Sequence, residues 1–302
     1  MPEWLSAWLP IALTLFMVAL ALWVVALIWL RARETGEPIR PVGEVIAVMS
    51  VIWFFDTLGI GSFAPSTAYY KLRKLVPAHL IPSTLLVAST APGPLQGALF
   101  IGTIKVDPLL LLLCIGAAML GALSGVKLVK KIPAEKVRLG MAVGLLLAAI
   151  AMTAGNLHVM PAVGAATSLP PLEMAVAALA SFVFASLMNL GIGFYAPTLI
   201  TLSLLGLDPQ AAFPIMMGAV TCLCPAAAIP LLKRREINLR LVTSTALGAI
   251  PGILIAAYLV SSLPITTLRW VVVAVVLYAA VTLLKGERSA RREAYTATAE
   301  TS

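Results

Sequence analysis

The chain has 302 residues, of which 61% are hydrophobic and 11% charged, with a mean hydropathy of +1.01 and a formal net charge of +8. That balance excludes a soluble globule, whose interior cannot hide so much apolar side chain, and the longest polar stretch, 285–302, is too short for a separate soluble domain. The expected fold class is an all-α polytopic membrane protein, because its apolar runs approach or reach the roughly 20 residues that cross a hydrocarbon core about 30 Å thick.

In chain order, apolar runs and helix breakers predict segments over 10–30, 44–58, 62–75, 77–101, 108–129 and 136–154, followed by 172–189, 194–205, 209–232, 238–260 and 266–284. The first run lacks a basic start, carries Glu3, and is too long for a signal-peptide core, so residues 8–31 read as an extra N-terminal transmembrane helix. Residues 42–155 and 172–284 form two repeats, and 285–302 a cytoplasmic tail. Segments 44–58 and 62–75 would each rise only about 22 Å, as a hairpin turning inside the membrane or as two tilted crossings. Threading the segments back and forth puts all but two of the 21 Lys and Arg residues on one side, the exceptions being Lys105 and Arg269. The positive-inside rule makes that side cytoplasmic in an inner or plasma membrane, with the N-terminus outside and the C-terminus inside. The basic excess then needs no nucleic-acid partner, and the tail cluster of Lys285, Arg288, Arg291 and Arg292 reads as an orientation signal.

A repeat connects the halves. At an offset of 132 residues, Leu58, Gly59, Ile60, Gly61, Ala64, Pro65, Leu72, Leu75, Pro77 and Pro82 match Leu190, Gly191, Ile192, Gly193, Ala196, Pro197, Leu204, Leu207, Pro209 and Pro214. With small gaps Gly116 meets Gly248, Pro133 meets Pro264 and Arg138 meets Arg269. Charge separates the copies: Lys71, Arg73 and Lys74 follow the first turn, whereas the second is followed by Asp208 and no base. Opposite bias at equivalent loops predicts halves inserted upside down relative to each other. Gly/Pro-interrupted helices in matching positions of inverted halves point to a secondary transporter with its site near the repeat interface.

Interrupting a helix in lipid is tolerated where protein or a water-filled cavity satisfies the freed backbone groups, so both Gly-Ile-Gly turns are expected to face inward. Gly59, Gly61, Gly191 and Gly193 permit positive φ; Pro65 and Pro197 fall in the first turn of the next helix; Ser62 fits an N-cap and Phe194 does not. The two following helices would aim their N-termini at a shared anion, since no Lys or Arg lies centrally in a span. The alternative for either turn is a packing kink. Asp56 is the one carboxylate expected well inside a span, where it is costly unless paired, protonated or hydrated; it fits either proton coupling or an acceptor for the N–H groups of Gly59 to Phe63, and the repeat places Met188 and Asn189 opposite it. Ser83, Thr84, Ser89, Thr90, Gln96, Asn189, Thr221 and Cys222 are further candidates for a cavity lining, each more often bonded within its own helix bundle. Thr90 aligns with Cys222, and Pro92-Gly-Pro94 with Cys224-Pro225, so a break is expected in both third-type segments. Cys114, Cys222 and Cys224 indicate neither a disulfide framework nor a metal site. His79 is assigned to the cytoplasmic end of a helix and His158 to an outer loop, without catalytic neighbours. Trp4, Trp8, Trp29 and Trp53 read mainly as interface anchors.

On Gly59-Ile-Gly-Ser-Phe-Ala-Pro65 with Pro77 and Pro82, and Gly191-Ile-Gly-Phe-Tyr-Ala-Pro197 with Pro209 and Pro214, the chain resembles the TauE/SafE sulfite-exporter family of permeases, over roughly 42–284. The resemblance implies transport of a small anion such as sulfite, a sulfonate, a related organosulfur compound or a carboxylate. That family usually carries a fuller Gly-Gly-Gly run, whereas Ser62-Phe63 and Phe194-Tyr195 follow the second glycine here, which bears on the substrate more than on the fold. The expected function is an alternating-access permease, not an enzyme, with no cofactor or metal. Its partners are the small anion and the bilayer, and a homo-oligomer is compatible with both. The expected substrate site comprises Gly59, Ile60, Gly61, Ser62, Phe63, Pro65, Thr90, Asn189, Gly191, Ile192, Gly193, Phe194, Tyr195, Pro197 and Thr221, with Asp56 as the proton-coupling candidate. The alternatives are an anion channel and a carboxylate transporter of the same fold.

Overall fold

A computed structural model describes residues 3–36, 39–128, 134–157, 166–188, 194–234 and 237–299. Its α-helices are α1 (Glu3–Thr35), α2 (Gly43–Thr57), α3 (Phe63–Leu72), α4 (Ile81–Ser89), α5 (Pro92–Thr103), α6 (Pro108–Leu128), α7 (Ala134–Asn156), α8 (Pro171–Leu187), α9 (Tyr195–Leu204), α10 (Pro209–Arg234), α11 (Leu239–Ser262) and α12 (Ile265–Ala299), with a short 3-10 turn at Ala78–Leu80 before α4. Four stretches are long and apolar enough to cross a membrane, namely Trp8–Thr35, Ala78–Thr103, Leu139–Asn156 and Leu239–Ser262, and shorter apolar helices accompany them. The protein is a multi-pass membrane protein.

Two expectations change. A break does separate α4 from α5 just before Pro92-Gly-Pro94, but α10 runs unbroken through Cys224-Pro225. A proline tolerated within a helix requires neighbours to satisfy the carbonyl it frees, and α10 is surrounded by α4, α5, α6 and α9. The tail begins as helix, α12 continuing to Ala299 rather than ending at 284.

Helix α1 shows why an extra span joins the bundle at little cost. Met17, Val24, Ile28 and Ala32 are buried on one stripe, while Trp8, Leu15, Leu22 and Trp29 face outward; this is the one-sided pattern of a helix packed against protein on one face and lipid on the other.

The short helices α3 and α9 are closed alike. Lys74 and Gly206 take positive φ, +49° and +102°. Behind them Leu75 N–H bonds the Tyr70 carbonyl and Leu207 N–H bonds that of Leu202, at 3.1 and 3.0 Å, the six-to-one bond that ends a helix when the next residue turns left-handed. Lys74 and Gly206 are 132 residues apart.

Packing between the halves is reciprocal: α2 lies along α11, α8 along α6, and α7 along α12. Glycine permits the first two contacts. A Cβ on Gly252 would strike the Ser50 carbonyl oxygen, and one on Gly121 would strike that of Phe182. Ser50 and Phe182 are also 132 residues apart, and the Ser186 hydroxyl reaches the Gly121 carbonyl at 2.9 Å. Small residues let membrane helices approach closely enough for dispersion to hold them where lipid removes the hydrophobic drive.

The connections gather at two ends. At one, Arg73 pairs with Glu44 at 2.5 Å, Val42 N–H bonds the Ser244 hydroxyl, and Asn238 N–H bonds that of Thr84. At the other, Ala166 bridges to Leu207, Asp107 N–H bonds the Thr167 carbonyl, Asp208 N–H bonds that of Ala166, and the Gln210 amide reaches the carbonyls of Val260 and Leu263. Because the glycine contacts are against backbone, which cannot step aside, Gly252→Ala and Gly121→Ala should each cost on the order of 1–3 kcal/mol, whereas Gly140→Ala, with open space around it, should cost nothing measurable. Thermal unfolding of the purified protein in detergent checks all three.

Candidate functional site

The α2–α3 turn is built around Asp56. At the end of α2, Gly59 takes φ +98°, its N–H returning to the Asp56 carbonyl at 2.8 Å and that of Ile60 to the Phe55 carbonyl at 3.1 Å. Gly61 follows at φ +88°, and α3 starts two residues later. Both glycines occupy backbone conformations that a side chain would strain. The Asp56 carboxylate then folds back over the turn, Oδ1 accepting from Ser62 N–H at 2.5 Å and Oδ2 from Gln96 Nε2 at 3.0 Å. Gln96 also donates to the Thr57 hydroxyl at 2.7 Å, so α5 anchors the turn. Asp56 is 3% exposed and Gln96 1%. Ser62 occupies the N-cap position of α3 with helical backbone and no side-chain cap bond, contrary to the expected Ser62 cap; it is the Ser62 N–H that is bonded, to Asp56.

The turn faces a cavity of about 530 Å³. Of the expected site residues, Asp56, Ile60, Gly61, Ser62, Phe63, Phe194, Tyr195 and Pro197 line it. Gly59 and Pro65 do not line it. Asn189, Gly191, Ile192 and Gly193 lie outside the described residues. Thr90 and Thr221 do not line it: the Thr90 hydroxyl bonds the Val87 carbonyl within its helix, and the Thr221 hydroxyl reaches the Gly93 and Met217 carbonyls, tying α10 to α5. Ser83, Ser89 and Cys222, with Cys224, do line it.

Two residues assigned elsewhere by sequence also belong to the cavity. Trp53 is 3% exposed, not an interface anchor, and its indole N–H has no acceptor among the described residues. Its position one helical turn before Asp56 on α2 was the available signal, since residues three apart share a helix face. His79 lines the cavity from the turn before α4, and Tyr278 and Thr282 from α12. Trp8 and Trp29 are exposed, as anchors are; His158 lies outside the described residues, and nothing is described of the Trp4 side chain.

Chemically the cavity is apolar wall with few polar groups. Among the described residues no Lys or Arg lines it, and the polar side chains that do are Trp53, Asp56, Ser62, His79, Ser83, Ser89, Tyr195, Cys222, Cys224, Tyr278 and Thr282. To these are added the helix-start N–H groups of Phe63, Ala64, Tyr195 and Ala196, which have no carbonyl one turn earlier in their own helices. Such starts carry partial positive charge. At α3 the neighbouring carboxylate of Asp56 offsets it, whereas α8 ends in Leu187 with Met188 as its cap and no carboxylate.

The two short helices also sit differently. Helix α9 packs against α7, α8, α10 and α12, and its residues are almost all buried. Helix α3 packs against α2 and α4, without comparable contact to α7 or α12, and Phe63 and Leu72 are exposed. The cavity accordingly reaches from the turn toward the end holding His79 and Thr282, and none of its lining comes from the Asp107, Ala166 and Leu207 cluster. Removing the Asp56 carboxylate should expose the cost of the turn: Asp56→Ala leaves the Ser62 and Gln96 donors without an acceptor and should lower stability by roughly 2–3 kcal/mol, while Asp56→Asn, which keeps a carbonyl oxygen for Ser62 N–H, should lose less than half of that. Equal losses in thermal unfolding would contradict the assignment.

Neither a curated protein nor a solved structure matches the chain. Residues 172–301, which span α8 from its second residue through α12, match the family model Sulfite exporter TauE/SafE.

Proposed function

We propose that the protein is a secondary transporter that moves a small organosulfur anion, a sulfonate or sulfite, through the cavity between α3 and α9. The observation that carries this reading is the cavity itself: it lies where two helix starts and the Trp53 indole meet, with no metal-ligating cluster among the described residues. Its volume is that of pockets for organic ligands, about 300–1,000 Å³, and its walls are apolar, which favours a sulfonate with a carbon substituent over bare sulfite. Binding would combine Phe63, Ala64, Tyr195 and Ala196 N–H groups with Trp53 and the hydroxyls around them, an arrangement suited to an anion that must also leave.

The halves are read as inverted repeats. Supporting that reading are the reciprocal packing of α2 on α11 and α8 on α6, the glycine contacts at Gly121 and Gly252, and the matched closures at Lys74 and Gly206. With the basic end cytoplasmic, the cavity reaches inward, and the Ala166–Leu207 bridge with its neighbours forms the outer seal. Alternating access then corresponds to α3 closing onto α7 and α12 as α9 already does, while α9 loosens. Asp56 couples the step to a proton: its carboxylate would repel an anion at α3, and protonation removes that charge, so anion and proton bind together.

Proteoliposomes loaded or bathed with sulfite, sulfoacetate, thiosulfate and small carboxylates test the substrate class. Sulfoacetate flux should saturate and rise when the side supplying anion is acidic; Asp56→Asn should abolish the pH response while retaining some flux. A carboxylate preferred over every sulfur anion would move the assignment to the carboxylate alternative, and non-saturating flux would indicate a channel. The conformational reading has its own check: a cysteine replacing exposed Phe63 should react with an impermeant maleimide from the basic side only, and outer-side reaction would overturn it.

A further inference from the structure

Arg31 is the charged residue that the transport account leaves unused. It lies between Ile28 and Ala32 on the buried stripe of α1, which packs with Val87 and Ala88 of α4, Ala228 of α10, and Ile237, Leu239 and Val242 leading into α11. The residue is 7% exposed, and its Nε, Nη1 and Nη2 are all sealed from solvent without an acceptor among the described residues. Glu34, one turn further along the helix, is exposed and does not reach it. Neighbouring Arg33 is placed differently, its guanidinium over the Trp29 ring at 3.5 Å.

A guanidinium cannot shed its charge to escape burial, and leaving one unpaired in a low-dielectric interior is strongly unfavourable. The fork of N–H donors matches two oxygens of one oxyanion. Depth supplies the chemistry of that oxyanion. From exposed Trp8 to Arg31 the helix rises about 34 Å, one hydrocarbon thickness, so Arg31 stands at headgroup level on the buried, protein-facing side of α1. Basic pockets between helices at this level bind phosphate-bearing headgroups.

We propose that Arg31 is a binding site for a phosphate-type oxyanion, seated where α1 meets α4, α10 and α11 and separate from the transport cavity. A phosphodiester headgroup and free inorganic phosphate share this chemistry. The site fixes the extra helix to the transporter by supplying the missing counter-charge.

Full-length protein stripped of lipid in detergent is the material for the test, titrated separately with phosphatidylglycerol and with inorganic phosphate, and read by native mass spectrometry and thermal unfolding. Wild type should bind one of the two at least tenfold more tightly than Arg31→Gln, with Arg33→Gln behaving as wild type. A response to phosphatidylglycerol alone assigns a lipid headgroup; a response to inorganic phosphate assigns the free anion. Should Arg31→Gln fail to fold, Arg31→Lys replaces it: a response weakened or lost supports the site, and an unchanged one overturns it. The proposal is also overturned if neither ligand binds wild type, or if Arg31→Gln responds as wild type does, whatever the transport assays return.

Discussion

A helix interrupted inside a membrane must find partners for the backbone groups it frees, and the rest of this structure follows from how that constraint is met at the α2–α3 turn. Two glycines turn the chain left-handed, the carbonyls of Phe55 and Asp56 take back the N–H groups of Ile60 and Gly59, and the Asp56 carboxylate takes that of Ser62. Gln96 then holds the carboxylate from α5. The groups still without acceptors, those of the first turn of α3, are left facing a cavity. A cavity wall carrying free helix-start donors is thus a by-product of the way the break is stabilised, with an acid built into it.

Helix packing determines which way that site is reached. Close glycine contacts fix α2 to α11 and α8 to α6, forming a frame that cannot slide without backbone collisions. The short helices are held less uniformly: α9 is enclosed on all sides, and α3 rests on α2 and α4. Two similar elements in unlike environments are what a two-state transporter requires, since each state can satisfy one of them at the other's expense. The ion pair between Arg73 and Glu44 ties the C-terminal end of α3 to the start of α2 and is exposed enough to break readily.

Much of this was legible in the sequence. Apolar run length located the helices, although α1 and α12 extend well beyond their runs and one run holds both α4 and α5, and Gly59 and Gly61 marked the turn because positive φ was the reason for them. Other features were not. Ser62 looked like a cap because its residue type usually is one, yet its backbone is helical and its hydroxyl makes no cap bond, while its N–H goes to a buried carboxylate six residues earlier in the chain. Pro225 looked like a break, but proline ends a helix only where no neighbour satisfies the freed carbonyl. Thr90 and Thr221 carried hydroxyls at the right depth and spent them on carbonyls. Trp53 read as an anchor because tryptophan at an apolar run's end commonly is, and only three-dimensional packing turns its face inward. Arg31 was counted as one more cytoplasmic charge; sequence cannot show that its guanidinium is buried.

The central claim is that a small sulfur-containing anion binds at the cavity between α3 and α9 and crosses by alternating access. Counterflow measures this most directly: proteoliposomes preloaded with excess unlabelled sulfoacetate are diluted into a trace of the labelled anion. The account predicts a transient internal accumulation above the external concentration, reduced when Trp53 is replaced by phenylalanine. Labelled anion that only equilibrates, without overshoot, would contradict it.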